Sequence, residues 1–221
     1  EVYSSGSPEI VRVFLTPLAA EVVAAQQRQA VVGRLEKARD MQNSGDTAGA
    51  KAEYEAALAE LDPADQPPVL ANLAVLHLDE GDVEGAVALL DQALTIDPEH
   101  VDSLKAKSAI LASQGKMEEA EALLAQVPED AAVHPNTLMN IAMTHYNQGE
   151  LEEAKAYLDR TIRGNPEIAQ AYYLRGLVGL SLGDQEGPKA DFEHYLELEP
   201  EGQQAAEAKE YLGYLGGTEP E

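Results

Sequence analysis

The sequence predicts an all-α fold of stacked helical hairpins. Three observations predict it: a regular comb of glycines, apolar positions at helical spacing on either side of each glycine, and a core composition poor in aromatics. Of the 221 residues, 44% are apolar but only 5% are aromatic, with no Trp and two Phe. Such a core is built largely from Ala, Leu, Val and Ile, which suits closely packed helices better than a β-sandwich.

The comb consists of five related strings. They are Gly45-Asp46-Thr47-Ala48-Gly49-Ala50, Gly81-Asp82-Val83-Glu84-Gly85-Ala86, Gly115-Lys116-Met117-Glu118-Glu119-Ala120, Gly149-Glu150-Leu151-Glu152-Glu153-Ala154 and Gly183-Asp184-Gln185-Glu186-Gly187-Pro188. Successive leading glycines are 36, 34, 34 and 34 residues apart. Each string reads as a turn between two helices. The Gly suits the left-handed position that ends a helix. The Asp or Glu after it, where present, caps or charge-stabilises the next helix. Before Gly81, for example, come Leu70, Leu73, Ala74 and His77; after it come Val83, Ala86, Leu89, Leu90, Ala93 and Leu94. Both sets fall on one face of a helix. Most hairpins then stop at a proline: Pro63, Pro98, Pro166 or Pro200.

On these residues the chain resembles the tetratricopeptide repeat family. That family's small residue in the first helix falls at Ala38, Ala74, Ser108, Ala142 and Gly176. Its small residue in the second helix falls at Ala50, Ala86, Ala120 and Ala154, with Pro188 departing. The large residue four positions on falls at Tyr54, Leu90, Leu124, Leu158 and Phe192, and the next packing position at Ala57, Ala93, Val127, Thr161 and Tyr195. The resemblance implies a right-handed α-solenoid of five hairpins, 31–64, 67–100, 101–134, 135–168 and 169–202, with Asp65 and Gln66 inserted after the first. A hairpin cannot bury its apolar face alone, so the hairpins stack and the last needs a cap. Residues 203–215 supply that capping helix, and 216–221 form a tail.

Two departures carry structural expectations. Pro188 sits near the first turn of its helix, where proline is tolerated. Pro128 comes early in its hairpin, so the second helix of hairpin three should end near Gln126. Residues 128–135 then form a longer loop, with a local change in superhelix geometry between hairpins three and four.

The first thirty residues stand outside the repeat. Residues 1–16 read as linker followed by a β-like run, Glu9–Leu15, expected to be extended. Three placements are open for that run: the last strand of an upstream domain, docking on its own chain, or a strand swapped onto a neighbour. The first is similar to the junction in some bacterial exported proteins, where a small β-sandwich precedes the repeats. It implies a bacterial cell envelope or periplasm, with the cytoplasm left open. The start at Glu1 implies that a signal or domain upstream was removed. Residues 17–30 form a leading helix with Thr16 as N-cap and Pro17 at its first position. It either runs unbroken into hairpin one or breaks near Gly33.

Charge narrows the function. With 15 basic and 40 acidic residues the net charge is −25, which opposes binding to nucleic acid and to anionic membranes. A solvated surface, a basic partner and a salt-rich source are all consistent with it. No apolar run reaches the length of a membrane span. Zero Cys excludes disulfides and thiolate chemistry. No phosphate-binding loop, nucleophile elbow or metalloprotease motif is present, so neither an enzyme, a cofactor nor a metal site is expected. His77 and His145 share one position in their hairpins and read as packing residues; His100, His134 and His194 fall at loop or surface positions.

The resemblance further implies that the first helix of each hairpin lines a concave, peptide-binding groove. Carried over by position, the candidate contacts are Arg39, Asn72, Val75, Lys105, Met139, Asn140, Met143, Tyr146, Tyr173 and Leu177. Met139, Met143, Tyr146, Tyr173 and Leu177 form the richest patch, with adaptable thioethers and broad amphipathic rings. The carboxylate clamp of the chaperone-binding members is not matched. From hairpin one its positions hold Leu35, Arg39, Asn72, Asp102 and Ala106, of which Asn72 alone fits. From hairpin three Lys105 and Asn140 fit, whereas Ala109, Gln170 and Leu174 do not. The expected function is therefore a scaffold that holds an apolar or amphipathic segment of another protein, a basic segment being one that the charge accommodates. A structural or self-assembling module, homo-oligomeric through the N-terminal segment or terminal hairpins, is the alternative, as is an accessory region of a larger protein.

Overall fold

The computed structural model describes residues 8–216, with side chains from residue 20 onward. Among these the chain is all helix and turn. The helices are α1 (Pro8–Asn43), α2 (Thr47–Leu58), α3 (Pro67–Asp79), α4 (Val83–Ile96), α5 (Val101–Ser113), α6 (Met117–Leu124), α7 (Pro135–Gln148), α8 (Leu151–Gly164), α9 (Ala169–Ser181), α10 (Glu186–Leu198) and α11 (Ala205–Leu215), with a 3-10 turn at Pro63–Asp65.

The turns follow from backbone chemistry. Gly45, Gly81, Gly115, Gly149 and Gly183 all sit at φ between +76° and +83°, the left-handed region that a Cβ disfavours. Asp46 and Asp82 then cap the following helices, each accepting from a backbone N–H three residues on, at 3.0 and 2.9 Å. Lys116 and Glu150 occupy the same place without a side-chain cap, and their helices open instead on Glu118/Glu119 and Glu152/Glu153 against the positive end of the dipole.

The chain divides into two compact bodies, one to Ser103 and one from Leu104. In the N-terminal body α1 packs on α2, α2 on α3 and α3 on α4. Its centre is Ala38, Ala50, Tyr54, Val69, Leu73 and Leu76. In the C-terminal body α7 packs on α8, α8 on α9, α9 on α10 and α10 on α11, while α7 and α9 also lie side by side. Its core is anchored by Ala142, Leu158, Phe192 and Tyr195, closed by Ala205 and Ala208 of α11.

Gly176 and Gly179 explain how hairpin five absorbs its departure. A Cβ at Gly179 would stand 2.8 Å from Cγ of Pro188, and one at Gly176 would stand 2.8 Å from the Phe192 ring. Pro188 is the third residue of α10, where no intrahelical donor is lost. Its ring is bulkier than the Ala of the other hairpins, and Gly179 makes the room.

One expectation is corrected. Glu9–Leu15 is not extended; it lies within α1, which continues unbroken through Thr16, Pro17 and Gly33 to Asn43. A lone strand leaves its backbone donors and acceptors unpaired, whereas a helix pairs its own. No neighbouring strand exists among the described residues to offset that cost. The linker read over residues 1–7 lies outside the described residues. Helix α6 stops early, at Leu124, close to the expected end near Gln126, and residues 125–134 form the loop that leads to α7.

Candidate functional site

The ten candidate contacts are divided between the two bodies. In the N-terminal body, α1 and α3 flank a cleft of about 220 Å³. Val32, Leu35, Glu36 and Arg39 come from α1, Pro68, Val69 and Asn72 from α3, and Tyr54 forms the floor. The packing of α2 on both helices sets its width. The Tyr54 hydroxyl donates to Gln42 at 3.3 Å, which turns the polar end of the ring toward α1. Burial raises the Tyr54 pKa, and the Arg39 charge opposes that rise. Arg39 and Asn72 are exposed at the rim, and Val75 is exposed one turn further along α3.

In the C-terminal body, α7 and α9 present Met139, Met143, Tyr146 and Leu177, all half-buried against the same core. Asn140 stands exposed among them, and Lys105 of α5 is half-buried. The Tyr146 hydroxyl meets the Ser181 hydroxyl at 3.2 Å, linking α7 to α9. Helix α11 adds an edge that the repeat pattern did not reveal. Its Tyr211 lies within electrostatic reach of Tyr146, and its Glu207 beside the Tyr173 hydroxyl. Tyr211 and Tyr214 donate to Glu207 and Glu210 at 3.2 and 3.4 Å, and Tyr214 remains 61% exposed.

Tyr173 is the exception. At 5% exposure it belongs to the core, not to the surface. Its ring packs against Phe192 at 5.8 Å and Tyr195 at 5.5 Å. Burial, and then the neighbouring Glu207 carboxylate, push its hydroxyl pKa well above the usual tyrosine value. The equivalent Leu35, Lys105 and Met139 are half-buried, and Ala71 is buried. At Tyr173, α11 folds back on α10 and covers the position.

Several charged and titratable side chains tie helices together. Arg175 of α9 donates to both oxygens of the buried Asp191 on α10, at 2.9 and 2.6 Å, and to Asp159 on α8 at 2.7 Å. That fork ties three helices through one guanidinium. His77 lies 2.7 Å from Asp82, and His145 lies 2.6 Å from Glu150, so each links a helix end to the acid of the next turn. His145 also meets Glu121 of α6 and stacks on Tyr157 at 5.6 Å. Packing alone, the sequence reading, therefore understates both histidines. Among the described residues no cluster of His, Asp and Glu is arranged to hold a metal ion, and no helix is long and apolar enough to cross a membrane.

Residues 43–107, 77–136 and 139–187 match the tetratricopeptide repeat. The chain belongs to the tetratricopeptide repeat family, whose scaffold proteins are generally non-enzymatic. No curated protein matches the sequence. Several solved structures share the fold. A tetratricopeptide repeat protein from Parabacteroides merdae is 18% identical at a TM-score of 0.62, covering 86% of this chain and 75% of its own. PilF of Pseudomonas aeruginosa is 17% identical at 0.64, covering 86% and 90%. YrrB, described as having an unusual peptide-binding site, is 16% identical at 0.60, covering 86% and 97%.

Proposed function

We propose that the protein is an interaction scaffold whose α7–α9 face, edged by α11, holds an apolar or amphipathic segment of a partner. The carrying observation is the charge pattern. The chain has 55 charged residues, yet α7 contains no Asp, Glu, Lys or Arg in its 14 residues. The single charged residue of α9, Arg175, is turned into its carboxylate fork. A solvated helix face carries charges; a face depleted of them, with Met and Tyr in their place, has the makeup of an interface centre. Glu207 and Glu210 at its edge favour a segment with basic flanks. The peptide-binding site named for YrrB adds support by analogy of fold.

The test is affinity capture from a lysate with wild type and with Met143→Glu. Met143 is half-buried at the surface, so the fold should survive and the captured protein should be lost. Equal capture by both chains, with equal helical content, would count against this face.

A second reading rests on α1. Residues 20–30 are exposed throughout, including Val22 at 51% and Val23 at 52%. The helix carries five basic and four acidic residues in a chain of net charge −25. Self-assembly through this stretch predicts a mass that rises with concentration in light scattering and falls back with Val22→Glu plus Val23→Glu. A mass constant from micromolar to near-millimolar protein would remove it.

A further inference from the structure

The early stop at Pro128 leaves more than a loop. Helix α6 has 8 residues where the other second helices have 12 to 14. Residues 125–134 instead run past the C-terminal end of α8, and a cleft of about 310 Å³ opens between them. Val133 and Leu138 give it an apolar floor, and two guanidinium groups, Arg160 and Arg163, stand in its wall.

Those guanidiniums are incompletely used. Arg160 donates one Nη2 hydrogen to the Pro128 carbonyl at a long 3.4 Å. Its Nε is shielded from solvent and is the one buried side-chain nitrogen or oxygen without a partner among the described residues. A shielded donor with no acceptor is unfavourable and is usually paired. Arg163 donates to Glu129 at 2.8 Å, but the pair is 60% and 79% exposed and therefore weak. A Cβ at Gly164, on the rim, would meet nothing within 4 Å, so the mouth is open.

We propose that this cleft is a second binding site, distinct from the α7–α9 face, and that its ligand is an acidic peptide segment. A Glu side chain of that segment is taken by Arg160 and Arg163, and a small apolar residue after it rests on Val133 and Leu138. Glu129, followed by Asp130, Ala131 and Ala132, has that chemistry itself and fills the site as an internal surrogate. Displacing Glu129 costs one weak exposed pair. Moving its loop frees Arg160 Nε, so that an incoming carboxylate gains a fork that Glu129 does not reach.

The probe is the blocked peptide acetyl-Pro-Glu-Asp-Ala-Ala-Val-amide, titrated at constant ionic strength and followed by amide chemical shifts. Its control has Gln and Asn for the two acids. Glu129→Gln empties Arg163, and that variant should bind the acidic probe about two- to fivefold more tightly than wild type, the scale of the exposed pair it removes. Adding Arg163→Gln, or Arg160→Lys, which keeps charge but loses the fork, should return binding to the level of the control peptide. Arg163 is exposed, so its variant reports even if the Arg160 variant fails to fold. The proposal is overturned if Glu129→Gln does not distinguish the acidic probe from the control, or if both arginine variants bind unchanged. If sodium acetate alone shifts the same amides at the same concentration, the site takes any free carboxylate and the peptide assignment falls.

Discussion

Replacing Tyr173 with Ala separates core from contact surface at the position where sequence and structure disagree most. The side chain is 5% exposed and touches Phe192 and Tyr195, each fully buried. Both neighbours are held on α10, which limits their collapse into the space left behind. Removing a buried aromatic ring under such conditions costs about 3–5 kcal/mol. Two ring pairs contribute part of it, at about 0.5–1.5 kcal/mol each. Against a total stability of about 5–15 kcal/mol, that is a large fraction. The melting temperature should fall by roughly 8–16 °C if about 4 kcal/mol is lost, at about 2–4 °C per kcal/mol for a chain of this size. Tyr173→Phe keeps the ring, gives up the hydroxyl beside Glu207, and should cost only about 1 kcal/mol. Urea titration followed by circular dichroism measures both variants. A loss below about 1 kcal/mol for Tyr173→Ala, together with loss of partner capture, would refute the core assignment and return Tyr173 to the contact face.

Three other variants probe the architecture. Gly179→Ala gains about 1 kcal/mol of helix propensity but drives a methyl into the Pro188 ring at a cost of about 1–3 kcal/mol, so a net loss near 1 kcal/mol is expected by urea titration, and a gain would mean that the contact relaxes freely. Arg175→Met leaves the buried Asp191 without its fork and should cost about 3–5 kcal/mol; near-wild-type stability would show that the three-helix tie is dispensable. His145 carries a pH signature. Burial lowers its pKa, but the hydrogen bonds and charges of Glu121 and Glu150 outweigh burial, and the net shift is upward from 6.5. Its protonated form is therefore favoured by folding. That stabilisation is complete below 6.5 and is lost as pH rises through the folded value. The stability difference between wild type and His145→Gln should shrink from pH 6 toward pH 9, and a difference that grows with pH would contradict the assignment.

The repeat was legible because each of its marks has a local cause. Positive φ selects Gly45, Gly81, Gly115, Gly149 and Gly183 whatever surrounds them, so the turns show in the chain. Pro128 stops a helix for reasons internal to its own residue, and α6 is accordingly short. What escaped depends on contacts between segments far apart in sequence. Tyr173 occupies a position that is half-buried at Leu35, Lys105 and Met139, and it is buried by Phe192 and Tyr195 of α10 with Glu207 of α11 beside its hydroxyl. Glu9–Leu15 has β-type residues, but a strand needs a partner and a helix does not. Arg175 forms its fork with Asp159 and Asp191, each sixteen residues away, so nothing local marks it. The cleft beside Arg160 and Arg163 arises from a missing stretch of helix, which no single residue announces. The charge-free run of α7, by contrast, was readable all along.

A photo-reactive side chain placed on the protein tests the central claim most directly. At position 143 on α7, and at position 177 on α9, irradiation in lysate should yield a crosslink to the same partner. At position 118, on the exposed face of α6, it should yield none. Crosslinks at 118 with none at 143 or 177 would contradict the account and move the working surface to the second helices.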